Sequence, residues 1–367
     1  MRYYLIAGEA SGDLHGSNLI KALHQREADA TIRCWGGDKM EAAGATLVKH
    51  YKELAFMGFV EVISHLPEIL KNLKHCKQDI LSFRPDVLVL IDYPGFNLRI
   101  AKWAHEAGIK VCYYISPQVW AWKENRVRKI KASVDKMLVI LPFEKEFYGK
   151  HGFEVTYVGH PLAEVVEKEL QYPAEKLSDR PVIALLPGSR QQEIRLKLPV
   201  MLRVVRLFPD YQFIVAKAPA TDTAVYQDFL KHFPEVFLVE HGAYNLLKQA
   251  KAALVTSGTA TLETALFGVP EVVCYKGNFL SYQLAKRLIK VKYIALVNLI
   301  LNKPAVRELI QNDFNPKNLQ EALQELLTDT ERQEAIQSDY TRLWTLLAKE
   351  KSSEKAAQEI WNLATKS

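Results

Sequence analysis

The chain has 367 residues, room for two domains of roughly 100 to 200 residues each with a real core in both. Apolar residues make up 49% and charged residues 25%, with 17 glycines and 16 prolines, which excludes the disordered, collagenous and low-complexity classes. A net charge of +6 is too mild for a chain that lives on nucleic acid. The longest stretches without Asp, Glu, Lys or Arg, Val111–Trp122 and Ala252–Leu262, fall short of the roughly 18 apolar residues that a membrane-spanning helix requires. The opening Met-Arg-Tyr-Tyr-Leu-Ile-Ala-Gly-Glu-Ala meets an acidic residue before a signal-peptide apolar region forms, so a cytoplasmic location is expected. Cys34, Cys76, Cys112 and Cys274 are scattered without a Cys-x-x-Cys pair and read as buried thiols.

Short β-branched runs alternate with amphipathic stretches, and they do so twice. The first series of predicted strands is Tyr3–Ala7, Thr31–Trp35, Val87–Ile91, Lys110–Tyr114, Met137–Leu141 and Val155–Val158, with helical patterns over Gly12–Gln25 and Leu98–Ala107. Within it, Phe56–Leu73 sets Phe59, Val62, Ile63, Leu66, Ile69, Leu70 and Leu73 around an amphipathic helix interrupted by Pro67, either a core helix or a docking face. Between Lys123 and Lys136, six basic residues stand against two acidic ones, a local +4 that reads as a solvated helix face or as a patch for an anionic surface. The polar stretch Glu164–Arg180 reads as a linker, 164–180, between a first domain over 1–163 and a second over 181–335. The second series is Val182–Leu186, Gln212–Ala216, Val236–Val239, Ala252–Val255 and Val272–Tyr275. After about Asn315 the pattern is helical, with Leu319, Leu323, Leu326 and Leu327 on one face and Trp344 and Trp361 as anchors. Residues 336–367 are expected to cross back to the first domain or to a partner chain. The alternation predicts an α/β architecture of two Rossmann-like domains with parallel sheets, facing a cleft, and a helical C-terminal tail.

Ligand chemistry is carried by the loops after the strands. Gly8-Glu9-Ala10-Ser11-Gly12-Asp13 lacks the Gly-x-Gly-x-x-Gly spacing of dinucleotide dehydrogenases, and no Gly-x-x-x-x-Gly-Lys-[Ser/Thr] occurs. Pro187-Gly188-Ser189-Arg190 sets a glycine, a hydroxyl and a guanidinium at a predicted helix N-terminus, a combination suited to an anion. Ser257-Gly258-Thr259-Ala260-Thr261-Leu262-Glu263 is a second hydroxyl-bearing turn, with Glu263 one helical turn beyond Thr259. Either turn alone is more often a simple N-cap. Together with Arg190 they predict a clamp on a nucleotide-diphosphate sugar: Gly188, Ser189, Ser257, Gly258 and Thr259 around the diphosphate, and Glu263 accepting from the ribose diol. With no Asp-x-Asp pair in the chain, no metal or other cofactor is expected; helix dipoles and Arg190 would stabilise the leaving diphosphate.

Eight stretches in order carry a resemblance: Ala7–Asp13, Met57–Val62, Ile91–Asn97, Ser116–Trp122, Leu141–Glu144, Gly159–Pro161, Leu186–Arg190 and Ser257–Glu263. In them the chain resembles the lipid-A-disaccharide synthase family, GT-B glycosyltransferases of bacterial lipid A biosynthesis. The resemblance implies UDP-2,3-diacylglucosamine and 2,3-diacylglucosamine 1-phosphate (lipid X) as substrates, joined β-1,6 with release of UDP. It also implies inversion at the anomeric carbon, no metal, and peripheral attachment to the inner-membrane surface. Asn298, Glu308 and Gln311 match family positions at the nucleotide, whereas Val297-Asn298-Leu299-Ile300-Leu301-Asn302-Lys303 departs from an expected Pro-Asn-Leu-Ile-Ala-Gly followed by a basic residue.

Inverting transfer needs a base for the acceptor hydroxyl. Asp92 fits, because a carboxylate leaving the apolar run Val87–Ile91 into a Tyr-Pro-Gly turn can have a raised pKa; the competing reading makes it a cap on a helix starting near Phe96. Glu9, Asp13 and His15 in the first loop are alternative bases. His160 reads first as a structural hydrogen-bonder, and Glu144 as a helix N-terminal residue favoured by the dipole. An acylated sugar phosphate calls for apolar and cationic groups together, which Trp120, Trp122, Arg126, Arg128 and Lys129 supply with Phe59, Ile63 and Leu66. A homodimer is compatible with the helical tail. Two other classes share the architecture. A UDP-sugar epimerase has no use for the acceptor surface, and a non-catalytic nucleotide-sugar-binding protein has none for a base such as Asp92.

Overall fold

A computed structural model of the chain describes residues 1–54, 66–122, 124–219, 221–240, 242–278 and 291–366. It divides into two compact units, one of Met1–Pro161 with Leu347–Ser367 and one of Leu162–Leu346.

In the first unit, β1 (Arg2–Ala7), β2 (Thr31–Gly36), β3 (Thr46–His50), β4 (Val87–Ile91), β5 (Val111–Tyr114), β6 (Lys136–Val139) and β7 (Thr156–Tyr157) form a parallel sheet in the order β3-β2-β1-β4-β5-β6-β7. The run Val-Leu-Val-Leu-Ile of β4 is buried throughout, as a strand covered on both faces must be. Alternate side chains feed two cores. Tyr4, Ile6, Leu88 and Leu90 meet Trp35 and Phe96 on one face, and Tyr3, Leu5, Val87 and Val89 meet Leu19 and Leu23 on the other. The terminal helix Ser352–Thr365 packs on the helix Ala10–Arg26, buries Ala356, Ala357 and Ile360 in that second core, and is tied to β6 by a Lys136–Glu359 ion pair of 2.6 Å.

In the second unit, β8 (Val182–Leu186), β9 (Gln212–Ala216), β10 (Phe237–Val239), β11 (Ala250–Thr256), β12 (Glu271–Tyr275) and β13 (Arg307–Ile310) form a parallel sheet in the order β10-β9-β8-β11-β12-β13. The helix Pro316–Thr328 starts where expected: Asn315 caps it, accepting from Asn318 N at 3.0 Å, and Pro316 occupies the first turn. In each sheet the strand order reverses at the first strand, β1 or β8, and the carboxyl edge at such a reversal is where ligands bind in open α/β sheets.

Several expectations are corrected. The strands β3 and β13 have no counterpart in the apolar pattern because they are edge strands, Thr-Leu-Val-Lys-His and Arg-Glu-Leu-Ile, which need not be apolar on both faces. The expected linker 164–180 begins as a helix, Pro161–Leu170. Its polar continuation is bonded into the second unit, where Asn245 and Gln249 side chains accept from Glu175 N and Leu177 N, and Lys248 donates to Tyr172 O. Pro67 does not interrupt a helix but lies in the first turn of Leu66–Phe83, where its missing N–H costs nothing. Leu73 of that helix is in the core with Ile69 packed against it, and Leu70 is 58% exposed. Phe59, Val62 and Ile63 lie outside the described residues, and of Leu66 only the backbone is described. All four cysteines are free and buried. Among the described residues, no helix is long and apolar enough to cross a membrane.

Candidate active site

β1 and β4 pair with Ala7 opposite Ile91, so Gly8 and Asp92 leave the sheet side by side. Asp92 (φ 44°) and Tyr93 (φ 49°) are consecutive left-handed residues. For non-glycine residues such strain is of order 1–3 kcal/mol each, and it persists only where the surroundings over-determine it. Here they do. The Tyr93 ring lies over Gly8, where a Cβ would stand 2.3 Å from it, and the Tyr93 hydroxyl donates to Leu54 O at 3.1 Å. The Asp92 carbonyl accepts from Asn97 Nδ2 at 2.8 Å and from Tyr113 Oη at 2.6 Å, while Asp92 N donates to Tyr114 O. Tyr93, not Asp92, is the N-cap of the helix Pro94–Glu106, and no side chain caps it. The half-buried Asp92 carboxyl therefore stands beside Glu9, which is exposed at the N-cap of Ala10–Arg26. Burial first, and the Glu9 charge second, push the Asp92 pKa up from 3.8 to about 6 against the pull of the Tyr93 N–H.

The other first-loop candidates have different surroundings. Asp13 is buried, and its carboxylate accepts from Gly37 N (2.8 Å), Met40 N (3.0 Å) and Lys39 N (3.2 Å), which anchors the start of the helix Asp38–Ala42. Both of its oxygens are engaged by the fold. His15 is buried with Nδ1 unpartnered, and burial, helped by Lys39, lowers its pKa to about 4. His160 is likewise driven down to about 3, by burial and then by His15, while its backbone N donates to Leu347 O. Both imidazoles are neutral at pH 7.

At the next strand ends the sheet carries a feature the sequence did not advertise. Ile115, a β-branched residue at φ 65°, turns the chain after β5 so that Ser116 Oγ donates to Glu144. Glu144 opens the helix Glu144–Lys150 as expected, and it also accepts from Leu141 N (2.9 Å) and Ile140 N (3.2 Å). Complete burial nevertheless raises its pKa to about 7, so the simple dipole-favoured carboxylate is corrected to a buried knot that holds the loop after β5. Trp120, in that loop, sets its ring edge-on to Phe143 at 5.0 Å; the Trp122 side chain lies outside the described residues. In the short helix Val127–Lys131, Val127 and Ile130 are buried, and Arg128 and Lys129 are exposed, with Arg126 half-buried just before it.

In the second unit the loops after β8 and β11 open helices at adjacent strand ends. Gly188 has φ 128°, and a Cβ there would lie 2.5 Å from Glu193 Oε2, which also accepts from Ser189 N at 3.3 Å. The turn after β8 thus holds a carboxylate of its own chain. Arg190 is exposed as the N-cap of Gln191–Leu202. Ser257 Oγ donates to Ile294 O at 3.1 Å, while Gly258 and Thr259 are exposed. Glu263 is half-buried, accepts from Tyr244 Oη at 2.8 Å, and has its pKa raised by burial. Asn298 and Glu308 are bonded to each other and to the backbone around them. Asn298 Nδ2 donates to Glu308 Oε1 and Val306 O, its Oδ1 accepts from Val306 N, and Glu308 accepts from Ile294 N and Ala295 N at the start of Leu296–Leu301. Gln311 is left-handed (φ 55°) at the end of β13, and its Nε2 is buried with no hydrogen-bond partner among the described residues. Pattern reading missed Asn97, Tyr113, Ser116 and the buried Lys197, whose amine lies 6.0 Å from the Tyr275 ring centre. The only advance signals were the positions of Asn97 and Ser116 inside the matching stretches.

A sequence profile of the family described as lipid-A-disaccharide synthetase matches residues 3–362. A lipid-A-disaccharide synthase of Syntrophus aciditrophicus is 40% identical over 374 residues, covering 99% of this chain and 98% of its own length. One of Coxiella burnetii is 37% identical over 370 residues, covering 98% and 97%. Among solved structures, the kitacinnamycin glycosyltransferase aligns with a TM-score of 0.70 at 16% identity over 99% of both chains. The Methanocaldococcus jannaschii UDP-GlcNAc 2-epimerase, in complex with UDP-GlcNAc and UDP, aligns with 0.68 at 15% over 99% of both. These structural likenesses establish the two-domain GT-B fold and nothing finer. The full-length match to curated relatives goes further: the chain belongs to the lipid-A-disaccharide synthetase family of glycosyltransferases.

Proposed function

We propose that the chain transfers 2,3-diacylglucosamine from UDP to the 6-hydroxyl of 2,3-diacylglucosamine 1-phosphate, lipid X, with inversion and without a metal. In this reading the second unit binds the donor. Ser189 N–H and Arg190 take the diphosphate in the place of the Glu193 carboxylate, the turn Ser257–Thr259 closes on it, Glu263 accepts from the ribose, and Gln311 offers its unpartnered amide to the nucleotide. Asn298 and Glu308 brace each other and the start of the helix Leu296–Leu301 beside that site. Asp92 of the first unit takes the proton of the acceptor hydroxyl as the glycosidic bond forms and UDP leaves with the electron pair of the broken bond. A single observation carries the choice of base: of the four first-loop and β4 candidates, Asp92 alone combines a strained backbone, half-burial and a pKa near 6, while Asp13 is engaged by three N–H groups and His15 is buried. The exposed Arg128 and Lys129 suit the acceptor phosphate or an anionic inner-membrane surface, where the protein would work as a peripheral enzyme on the cytoplasmic side.

Incubation with UDP-2,3-diacylglucosamine, with and without lipid X, tests the proposal. UDP and disaccharide should form together and only when lipid X is present. UDP release or sugar isomerisation without lipid X would favour an epimerase or hydrolase instead.

A further inference from the structure

Asp92 sits in a backbone conformation that it does not choose by itself, and the groups that impose it are identifiable. The Asp92 carbonyl receives two buried donors from different elements, Tyr113 Oη from β5 (2.6 Å) and Asn97 Nδ2 from the helix Pro94–Glu106 (2.8 Å). The same Asn97 amide reaches Ile91 O at 3.2 Å and Ile6 O at 3.4 Å, so one side chain gathers the carboxyl ends of β1 and β4. Asn97 and Tyr113 are both fully buried. The backbone of the strained residue is thus held by two side chains, and its carboxyl stands near Glu9.

We propose that Tyr113 and Asn97 are positioning residues for the transfer reaction, which hold the Asp92 carbonyl so that its carboxyl stays in the left-handed, half-buried pose needed to accept the acceptor proton. The inference rests on the reading of Asp92 as the base. Neither residue touches substrate. Their effect is on where the base stands, and a displacement of about 1 Å at a catalytic group is worth up to roughly a hundredfold in rate. Without the phenol donor the pair Asp92-Tyr93 relaxes toward ordinary backbone angles, and the carboxyl moves into water.

Tyr113→Phe keeps the ring and removes one hydroxyl. Its transfer activity is measured per molecule competent to bind UDP, alongside thermal unfolding, with Asp92→Asn as the reference variant. The expected result is a roughly ten- to hundredfold fall in kcat with KM for both substrates little changed. The acid limb of its kcat/KM profile should shift from about 6 toward the ordinary 3.8. A merely structural role would lower the unfolding temperature and leave kcat per competent molecule and the limb in place, and that result overturns the inference. Asn97→Ser offers a second variant should Tyr113→Phe not fold, with the same expectations. If Asp92→Asn keeps its activity, the base assignment fails and takes this inference with it. If Asp92→Asn is inactive while Tyr113→Phe turns over normally, only the positioning role fails.

Discussion

Glu9→Gln is the perturbation whose outcome the geometry constrains most closely, because it should make the enzyme better at low pH. The Asp92 pKa stands at about 6 instead of 3.8, with burial as the larger cause and the like charge of Glu9 as the other. Replacing Glu9 by its neutral isostere removes the second cause and leaves the first, so the Asp92 carboxyl should ionise at a pH below about 6 but still above 3.8. A base works only when deprotonated, and below its pKa the rate falls tenfold per pH unit. The acid limb of kcat/KM should therefore move down from about 6, and relative to its own plateau the variant should outperform the parent below that pH. The assay is initial-rate UDP release at low lipid X across pH 4.5 to 8, on detergent-dispersed substrates so that membrane binding does not enter. An unmoved limb, or one displaced upward, would refute the electrostatic coupling. Loss of activity at every pH would make Glu9 itself the base.

Arg190→Ala should lower kcat/KM by about a hundredfold or more, the size of losing one electrostatic stabiliser of a leaving group, and steady-state kinetics on folded protein checks it. Glu271 is fully buried with neither carboxyl oxygen hydrogen-bonded among the described residues, and burial raises its pKa far above 4.5. The folded state then binds a proton that the unfolded state releases, so this group costs up to about 1.4 kcal/mol of stability per pH unit as pH rises above 4.5. Glu271→Gln should consequently gain more in denaturant midpoint at pH 8 than at pH 5, and an equal effect at both would contradict the assignment. Replacing Arg126, Arg128, Lys129 and Lys131 by Ser should weaken sedimentation with anionic vesicles, each cation near such a surface being worth about 1 kcal/mol, and should spare activity on detergent-dispersed substrate. Normal vesicle binding with lost detergent activity would assign the basic run to the acceptor phosphate instead.

What the sequence disclosed follows from where its information is local. The inner strands were legible because a parallel strand buried on both faces must be apolar at every position, as Val87–Ile91 is. The edge strands Thr46–His50 and Arg307–Ile310 escape that requirement and were not seen. The two helix-opening turns of the second unit were legible from glycine and hydroxyl spacing, since Gly188 requires a positive φ and Ser and Thr suit helix starts. The sequence could not say which way a carboxylate faces. Asp13 and Asp92 are both acids at the end of an apolar strand or loop, and only the fold reveals that one is enclosed by three N–H groups and the other stands beside a like charge. For the same reason Asn298 and Glu308, which look like ligands by position, hold each other, and Glu144 hides a buried carboxyl under an ordinary helix start.

The most direct test of the account joins chemistry to binding in one variant, Asp92→Asn. The side chain keeps its shape and loses its capacity to accept a proton. UDP affinity, measured by calorimetry, should equal that of the parent, because the residues proposed to hold the nucleotide belong to the other unit. Lipid-X-dependent transfer should fall by roughly two to four orders of magnitude, the range of general-base catalysis. Transfer at a tenth of the parent rate or more, with UDP binding intact, would contradict the claim that Asp92 is the base of this glycosyl transfer.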